Sequence, residues 1–241
     1  ERLVTDATQT EGALPFLGHV LRELWLYRSG RRLTLASYER LGGVSGALSR
    51  SADALLAGMT PEGRLRARWL LTSLVRSGRG VMNTRRTLRR AEALQAAGGD
   101  ALAESVLLQL SGGRDARGQV AVRLLQVSGE ERVDLIHEAL LLGWQTLRGY
   151  VDSDRKLLER RDDLEAAAQA WQAAGAPSGG LPLGDLLRYH EGTGLREEER
   201  QRYQGLASPL GRRFLAEAHE REEGREAEAR LRVAQALRRQ R

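Results

Sequence analysis

The sequence predicts a mainly α-helical protein with one small β element near its centre. Three observations carry this. Aromatic residues make up 5% of the 241 residues against 41% hydrophobic overall, so the core must be built of Leu, Val and Ala, a composition that suits helices. Apolar residues recur at three- and four-residue spacing along most of the chain. Only between Val120 and Leu135 does the period fall to two, on either side of Ser128-Gly129-Glu130-Glu131, which is the pattern of a β-hairpin.

The elements follow in order. Gly12 to Arg28 reads as a helix with Leu14, Leu17, Leu21, Leu24 and Trp25 on one face, Pro15 in its first turn and Gly30 as its stop. Leu33 to Leu41 is a short helical segment ended by Gly42-Gly43. Ser49 to Met59 is helical. Thr60-Pro61-Glu62 then supplies a cap, a proline at the first position and an acid in the first turn. That helix runs to about Val75 and should bury Leu65, Trp69, Leu70 and Leu74, before Ser77-Gly78-Arg79-Gly80 breaks it. Thr84 to Leu88 fits a short strand and Arg89 to Ala97 a helix. Asp100 caps the next helix, Ala101 to Leu110.

Past the hairpin the helical period returns at His137, with Leu140, Trp144, Leu147 and Val151 in one stripe and Leu157, Leu164 and Trp171 at intervals of seven. Gly175 to Gly180 is a break, Leu183 to Tyr203 is helical, and Pro209 to Arg241 is an Arg/Glu-rich exposed helix or linker. Between Ser49 and Ile136 the order helix, strand, helix, helix, hairpin is that of a winged helix.

Composition excludes several chemistries. Cys is absent, which removes disulfides, thiolate zinc sites and thiol nucleophiles, and fits a reducing, cytoplasmic setting. No apolar run is long enough to span a membrane, and no signal peptide opens the chain. The net charge is +6, carried almost wholly by arginine. The only lysine, Lys156, is followed by Leu157, so the chain has no phosphate-binding Walker A loop. Gly43-Val44-Ser45-Gly46 falls one residue short of a nucleophile elbow. Asp162-Asp163 and Glu222-Glu223 lie on polar helices and read as solvated faces; the four tryptophans read as core.

Two features invite a ligand. Residues 60–90 hold nine arginines against one acid, Glu62, which suits nucleic acid. The helix that should read DNA, Ala101 to Leu110, carries Asp100 and Glu104 with no Lys or Arg, which disfavours that partner. His137 sits where the hairpin passes into a helix. A histidine there can donate to a phosphate, and it can equally be a cap or a core residue.

Two stretches resemble a known family. The first comprises Gly12-Ala13-Leu14-Pro15-Phe16-Leu17, Leu24-Trp25, and Leu33-Thr34-Leu35-Ala36-Ser37-Tyr38-Glu39-Arg40-Leu41-Gly42-Gly43-Val44-Ser45-Gly46-Ala47-Leu48. The second is Val133-Asp134-Leu135-Ile136-His137-Glu138-Ala139-Leu140-Leu141, followed by Trp144, Leu147, Tyr150 and Asp154-Arg155. Together with the tail helices through Phe214-Leu215, and so over nearly the whole chain, they resemble the distal half of the bacterial novel STAND NTPases, signal transduction ATPases with numerous domains.

The resemblance implies a layout. Residues 1–48 would end a helical lid domain, 49–136 form the winged-helix domain, 137–208 a helical domain and 209–241 a charged helix or linker. It further implies a P-loop ATPase core upstream that holds ATP or ADP with Mg, and a sensor or WD-repeat propeller downstream. It leaves room for a homo-oligomer. The family's nucleotide-sensing positions fall on Pro15 and His137. Because the chain opens at Glu1 without a Met and lacks a Walker A loop, it is expected to be a fragment that does not hydrolyse ATP alone.

The function expected is the regulatory lid and winged-helix portion of an ATP/ADP switch that controls oligomerisation. A winged-helix DNA-binding transcription regulator and a helical protein-interaction scaffold are the alternatives.

Overall fold

The computed structural model describes residues 2–9, 14–78, 80–112, 122–129, 131–176, 202 and 205–239. The chain divides into two compact units, Glu1–Glu159 and Arg160–Arg241. Helix predominates, with small antiparallel sheets in the first unit. No helix of the described residues is long and apolar enough to cross a membrane.

The first unit opens with α1 (Arg2–Gln9), α2 (Leu14–Leu26), α3 (Leu35–Arg40), α4 (Gly43–Ala57) and α5 (Pro61–Ser73). A two-stranded hairpin follows, β1 (Val75–Arg76) against β2 (Thr84–Arg85), with Val75 opposite Arg85. Next come β3 (Leu88–Arg89), α6 (Arg90–Ala96), α7 (Ala101–Leu110), β4 (Leu125–Ser128) and β5 (Arg132–Leu135). The last three strands form one antiparallel sheet in the order β3-β5-β4, with Leu88 and Val127 both opposite Val133. The short α8 (Ala139–Gly143), then α9 (Gln145–Ser153) and the start of α10 (Arg155–Ala173) complete the unit.

The start signals read in the sequence are made. Thr60 Oγ1 accepts from the Gly63 N–H at 3.1 Å, and an Asp100 carboxylate oxygen accepts from the Ala103 N–H at 2.8 Å. Thr34 does the same for α3, accepting from Ser37 N–H at 3.2 Å. Each satisfies one donor that an uncapped first turn leaves open.

Several boundaries and faces differ from expectation. Among the described side chains of α2 the buried ones are Val20 and Leu24, while Leu21 and Trp25 point to solvent, Trp25 with 54% of its surface exposed. The expected stripe spans about 100° of the helix, and the buried face is turned to its Val20–Leu24 side. Leu65 is likewise exposed and Trp69 only half-buried, with the Arg66 guanidinium 4.8 Å from its ring centre. Helix α4 starts at Gly43 rather than Ser49, because Gly42 and Gly43 at φ 70° and 71° turn the chain directly into it.

Around the first hairpin, α5 stops at Ser73, and Val75 is already a strand. The segment expected as one strand, Thr84 to Leu88, is two short strands in different sheets. The main hairpin begins its ladder at Leu125, not in the Val120–Leu124 alternation. There Leu124 instead donates its N–H to the Leu110 carbonyl at 2.8 Å, tying the hairpin to the end of α7. Val120 lies outside the described residues, as does nearly all of the helix expected over 183–203.

One apolar cluster runs through the first unit. It joins Val20 and Leu24 of α2, Leu70, Leu71 and Leu74 at α5, Leu107 and Leu110 of α7, Val133 and Leu135 of β5, and Trp144 and Leu147 beyond it. Gly98, between α6 and α7, has φ 113°, and a Cβ there would lie 2.2 Å from Arg66 Nη1. Gly98→Ala is therefore expected to destabilise the unit by about 1–3 kcal/mol, read as a lowered midpoint of urea unfolding. A midpoint equal to wild type would show that the turn relaxes without cost.

The second unit contains the rest of α10 and the long α11 (Pro209–Arg239). Leu164, Ala168 and Trp171 on α10 are buried, as are Phe214, Leu215 and Ala218 on α11. The Trp171 and Phe214 ring centres are 5.5 Å apart at 50°. Glu165 caps α11 from α10: its carboxylate accepts from Ser208 N–H and Ser208 Oγ, both at 2.6 Å. Beyond Ala218, wherever its side chains are described, α11 is largely exposed, as its Arg/Glu content predicts.

Candidate functional site

His137 lies in the turn between β5 and α8. The ladder that ends in Leu135 is prolonged by one bond, from Ile136 N–H to the Leu124 carbonyl at 2.9 Å, which holds the backbone up to His137. On the other side the His137 carbonyl accepts from Leu140 N–H at 3.2 Å. The ring is half-buried, and its Nδ1 accepts from the Ala139 N–H at 3.1 Å. A backbone N–H is always a donor, so Nδ1 is the bare nitrogen. The proton of the neutral ring then sits on Nε2, which is a hydrogen-bond donor.

This geometry changes one part of the expectation. Helix α8 has only five residues, and the histidine itself takes one of its free N–H groups. The anion-attracting helix start foreseen from sequence is thereby weakened. What remains is a ring oriented by its own cap, presenting Nε2–H as its donor.

A second feature went unread in the sequence. Where α8 meets α9, Trp144 is extended (φ −94°, ψ 103°) and breaks what looked like one helix. Asp53 of α4 holds the break: Oδ1 accepts from Trp144 Nε1 and from Thr146 Oγ1, each at 2.8 Å. Ser49, one turn earlier, donates to the Gly143 carbonyl at 3.1 Å. Ser49, Asp53, Gly143 and Thr146, with Gly46, Gln145 and Arg148, line an open recess of about 420 Å³. It offers hydroxyls, an amide, one carboxylate and one guanidinium. The separation of 91 positions between Asp53 and Trp144 hid this contact from any local pattern.

The arginine-rich stretch 60–90 is largely engaged inside the fold. Arg66 pairs with Asp100 at 2.8 Å, Arg68 with Asp154 at 2.6 Å, Arg85 with Asp134 at 3.5 Å, and Arg90 with Glu104. Arg64 donates to the Met59 carbonyl at 2.7 Å. The hydrogen bond from Ala103 N–H, ahead of the Arg66 charge, holds the Asp100 carboxyl below its ordinary range. Both acids of α7 thus meet arginines of their own unit. Spent this way, those guanidiniums are not aligned for a run of phosphates.

Pro15 is the second residue of α2, and its side chain lies outside the described residues. His190 also lies outside them, as do the side chains of His19 and His219. Among the described residues no group of three or more His, Cys, Asp or Glu side chains is placed to hold a metal ion.

The comparisons with known proteins add one finding. Neither the curated proteins nor the solved structures yield a match. The sequence model described as Novel STAND NTPase 1 matches residues 1–179, well over half of the chain. It covers the whole first unit, including α2, the three-stranded sheet, His137 and the α8–α9 junction. On that match the chain belongs to the Novel STAND NTPase 1 family.

Proposed function

We propose that this chain is the regulatory portion of an ATP/ADP-dependent signalling switch. Family membership points to a nucleotide-dependent signalling role. In our reading residues 1–48 end a helical lid, 49–136 form a winged helix, 137–208 a helical domain, and 209–241 a charged connector. The element order α5, β3, α6, α7, β4, β5 with its β3-β5-β4 sheet supports the winged-helix assignment. The β1–β2 hairpin is then an insertion between the first helix and first strand of that unit.

The observation that carries the reading is His137. Its backbone cap orients the ring and leaves Nε2 as the nitrogen able to donate. A donor held this way can engage a phosphate in one conformation of a switch and lose it in the other. Such differential contact is what biases a two-state element. Pro15, at the start of α2, is the second nucleotide-facing position we propose.

The described residues supply no phosphate cradle of their own. Lys156 is the only lysine and is not followed by Ser or Thr. ATP or ADP with Mg would be held by a P-loop core elsewhere in a longer protein, and no hydrolytic step is assigned to these residues. A downstream sensor domain and self-association complete the reading.

The test separates cap from sensor. Asparagine is a good cap and can keep the bond to Ala139 N–H, but it lacks the reach of Nε2. In the complete protein, His137→Asn and His137→Ala are both expected to speed loss of bound ADP by about 5- to 150-fold. Only the alanine variant should also melt at a lower temperature. If the asparagine variant retains ADP like wild type, His137 is a helix cap and its sensing role fails.

A further inference from the structure

Six of the exposed large apolar side chains of the first unit lie close together in the sequence. Leu21, Trp25, Leu26, Tyr27, Leu33 and Leu35 fall within fifteen residues of sequence, each 44–57% exposed. Three further contacts fold this stretch into one surface. Ser37 Oγ donates to the Tyr27 carbonyl at 3.0 Å, which brings α3 back against the end of α2. The Arg40 guanidinium lies 5.6 Å from the Tyr27 ring centre, and Arg28 lies 4.5 Å from that of Trp25. Half of Trp25 and Tyr27 alone leaves about 200 Å² of ring surface in water. With four leucines added, the patch reaches the size at which an exposed apolar surface marks an interaction site.

Its charge is one-sided. Arg22, Arg28, Arg31, Arg32 and Arg40 stand in this stretch against Glu23 and Glu39. Arg31 and Arg32, in the tight turn between the helices, are exposed and have no ion pair among the described residues. Arg28 is folded back, donating to the Trp25 carbonyl at 2.7 Å.

We propose that this face docks an amphipathic helix of a partner protein whose apolar stripe is flanked by acidic side chains. Leu21 and Trp25, four residues apart on α2, form a ridge of the kind that packs into the groove of a second helix. Carboxylates beside that groove would meet Arg31 and Arg32 as the apolar ridge is buried. A second copy of the chain fits poorly, since it would set arginines against arginines. An anionic lipid surface also takes Trp and Leu beside Arg and is the competing occupant, which the vesicle experiment below distinguishes. The inference rests on this surface alone and not on the nucleotide reading.

The test uses the full 241-residue chain and three dye-labelled synthetic helices of about 20 residues, followed by fluorescence anisotropy. One carries a leucine stripe flanked by Glu, one the same stripe flanked by Lys, and one the acidic composition in scrambled order. Binding should be clear for the acidic amphipathic peptide and weak for the other two. Leu21→Ser with Trp25→Ser should weaken it by about tenfold or more. Arg31→Glu with Arg32→Glu should weaken it similarly and shift preference to the Lys peptide. Every substituted side chain is exposed, and circular dichroism with an unfolding midpoint checks that the variants fold.

Equal binding of ordered and scrambled peptides would overturn the proposal, as would a charge reversal without effect. Two other outcomes would replace it: self-association by sedimentation that depends on Trp25, or flotation with phosphatidylserine vesicles through these same side chains. No nucleotide enters the experiment, so its failure leaves the His137 result standing.

Discussion

Trp144→Ala is expected to destabilise the first unit by about 3–5 kcal/mol, the cost of emptying a large buried aromatic site. Trp144 is fully buried and is the largest side chain in the core. It also fixes backbone. Its extended conformation separates α8 from α9, and its Nε1 anchors that corner to Asp53 on α4. Two losses therefore coincide, the packed volume and the bond that positions the break. Trp144→Phe separates them. It keeps most of the ring and forfeits the Nε1 donor, for an expected cost of about 0.5–1.5 kcal/mol. Chemical unfolding of both variants checks the pair. If phenylalanine costs as much as alanine, the hydrogen bond rather than the volume holds the corner. If neither shifts the midpoint, Trp144 does not organise the junction.

Arg68→Met should cost about 3 kcal/mol, at the lower end for a broken buried ion pair because Arg68 is itself 32% exposed. Its guanidinium sits 2.6 Å from Asp154 Oδ1, and the Asp154 side chain is only 6% exposed. The arginine also lies 5.3 Å from the Tyr150 ring centre. Removing it leaves a buried carboxylate without its guanidinium. Adding Asp154→Leu removes that stranded charge, so the double variant should recover part of the loss. A double-mutant cycle on unfolding free energies reads the coupling. Strictly additive effects would mean that the close contact contributes nothing to stability. The pair joins α5 to the residue between α9 and α10, so the cycle also measures how firmly the end of the first unit is tied to its centre.

Much of the local structure was legible because its causes are local. Thr60 and Asp100 are caps in the sequence and caps in the structure, since a side-chain oxygen three residues before a free N–H needs no tertiary partner. The hairpin turn after Ser128 and the α6–α7 corner at Gly98-Gly99 belong to the same class. Errors gathered where burial decides. The sequence alone could not tell which side of α2 would be covered, because Leu21 and Trp25 are as apolar as Val20 and Leu24. The break at Trp144 was hidden because its cause, Asp53, lies on another helix.

The candidate site divides along the same line. Residue type and position put His137 at the junction of hairpin and helix, and the resemblance to the family raised the expectation of a nucleotide-sensing role there. That its Nδ1 is spent on Ala139 N–H, leaving the proton on Nε2, is a matter of ring orientation that only the folded turn sets.

The sequence by itself determined the helical class, the caps, the absence of a phosphate loop and the family, since each follows from residue identity and short spacing. Tertiary structure decided which arginines are engaged by acids, which apolar faces remain in water, and where the helices break. Those outcomes depend on groups far apart in the chain, and only packing brings them within the few ångströms over which hydrogen bonds and ion pairs act.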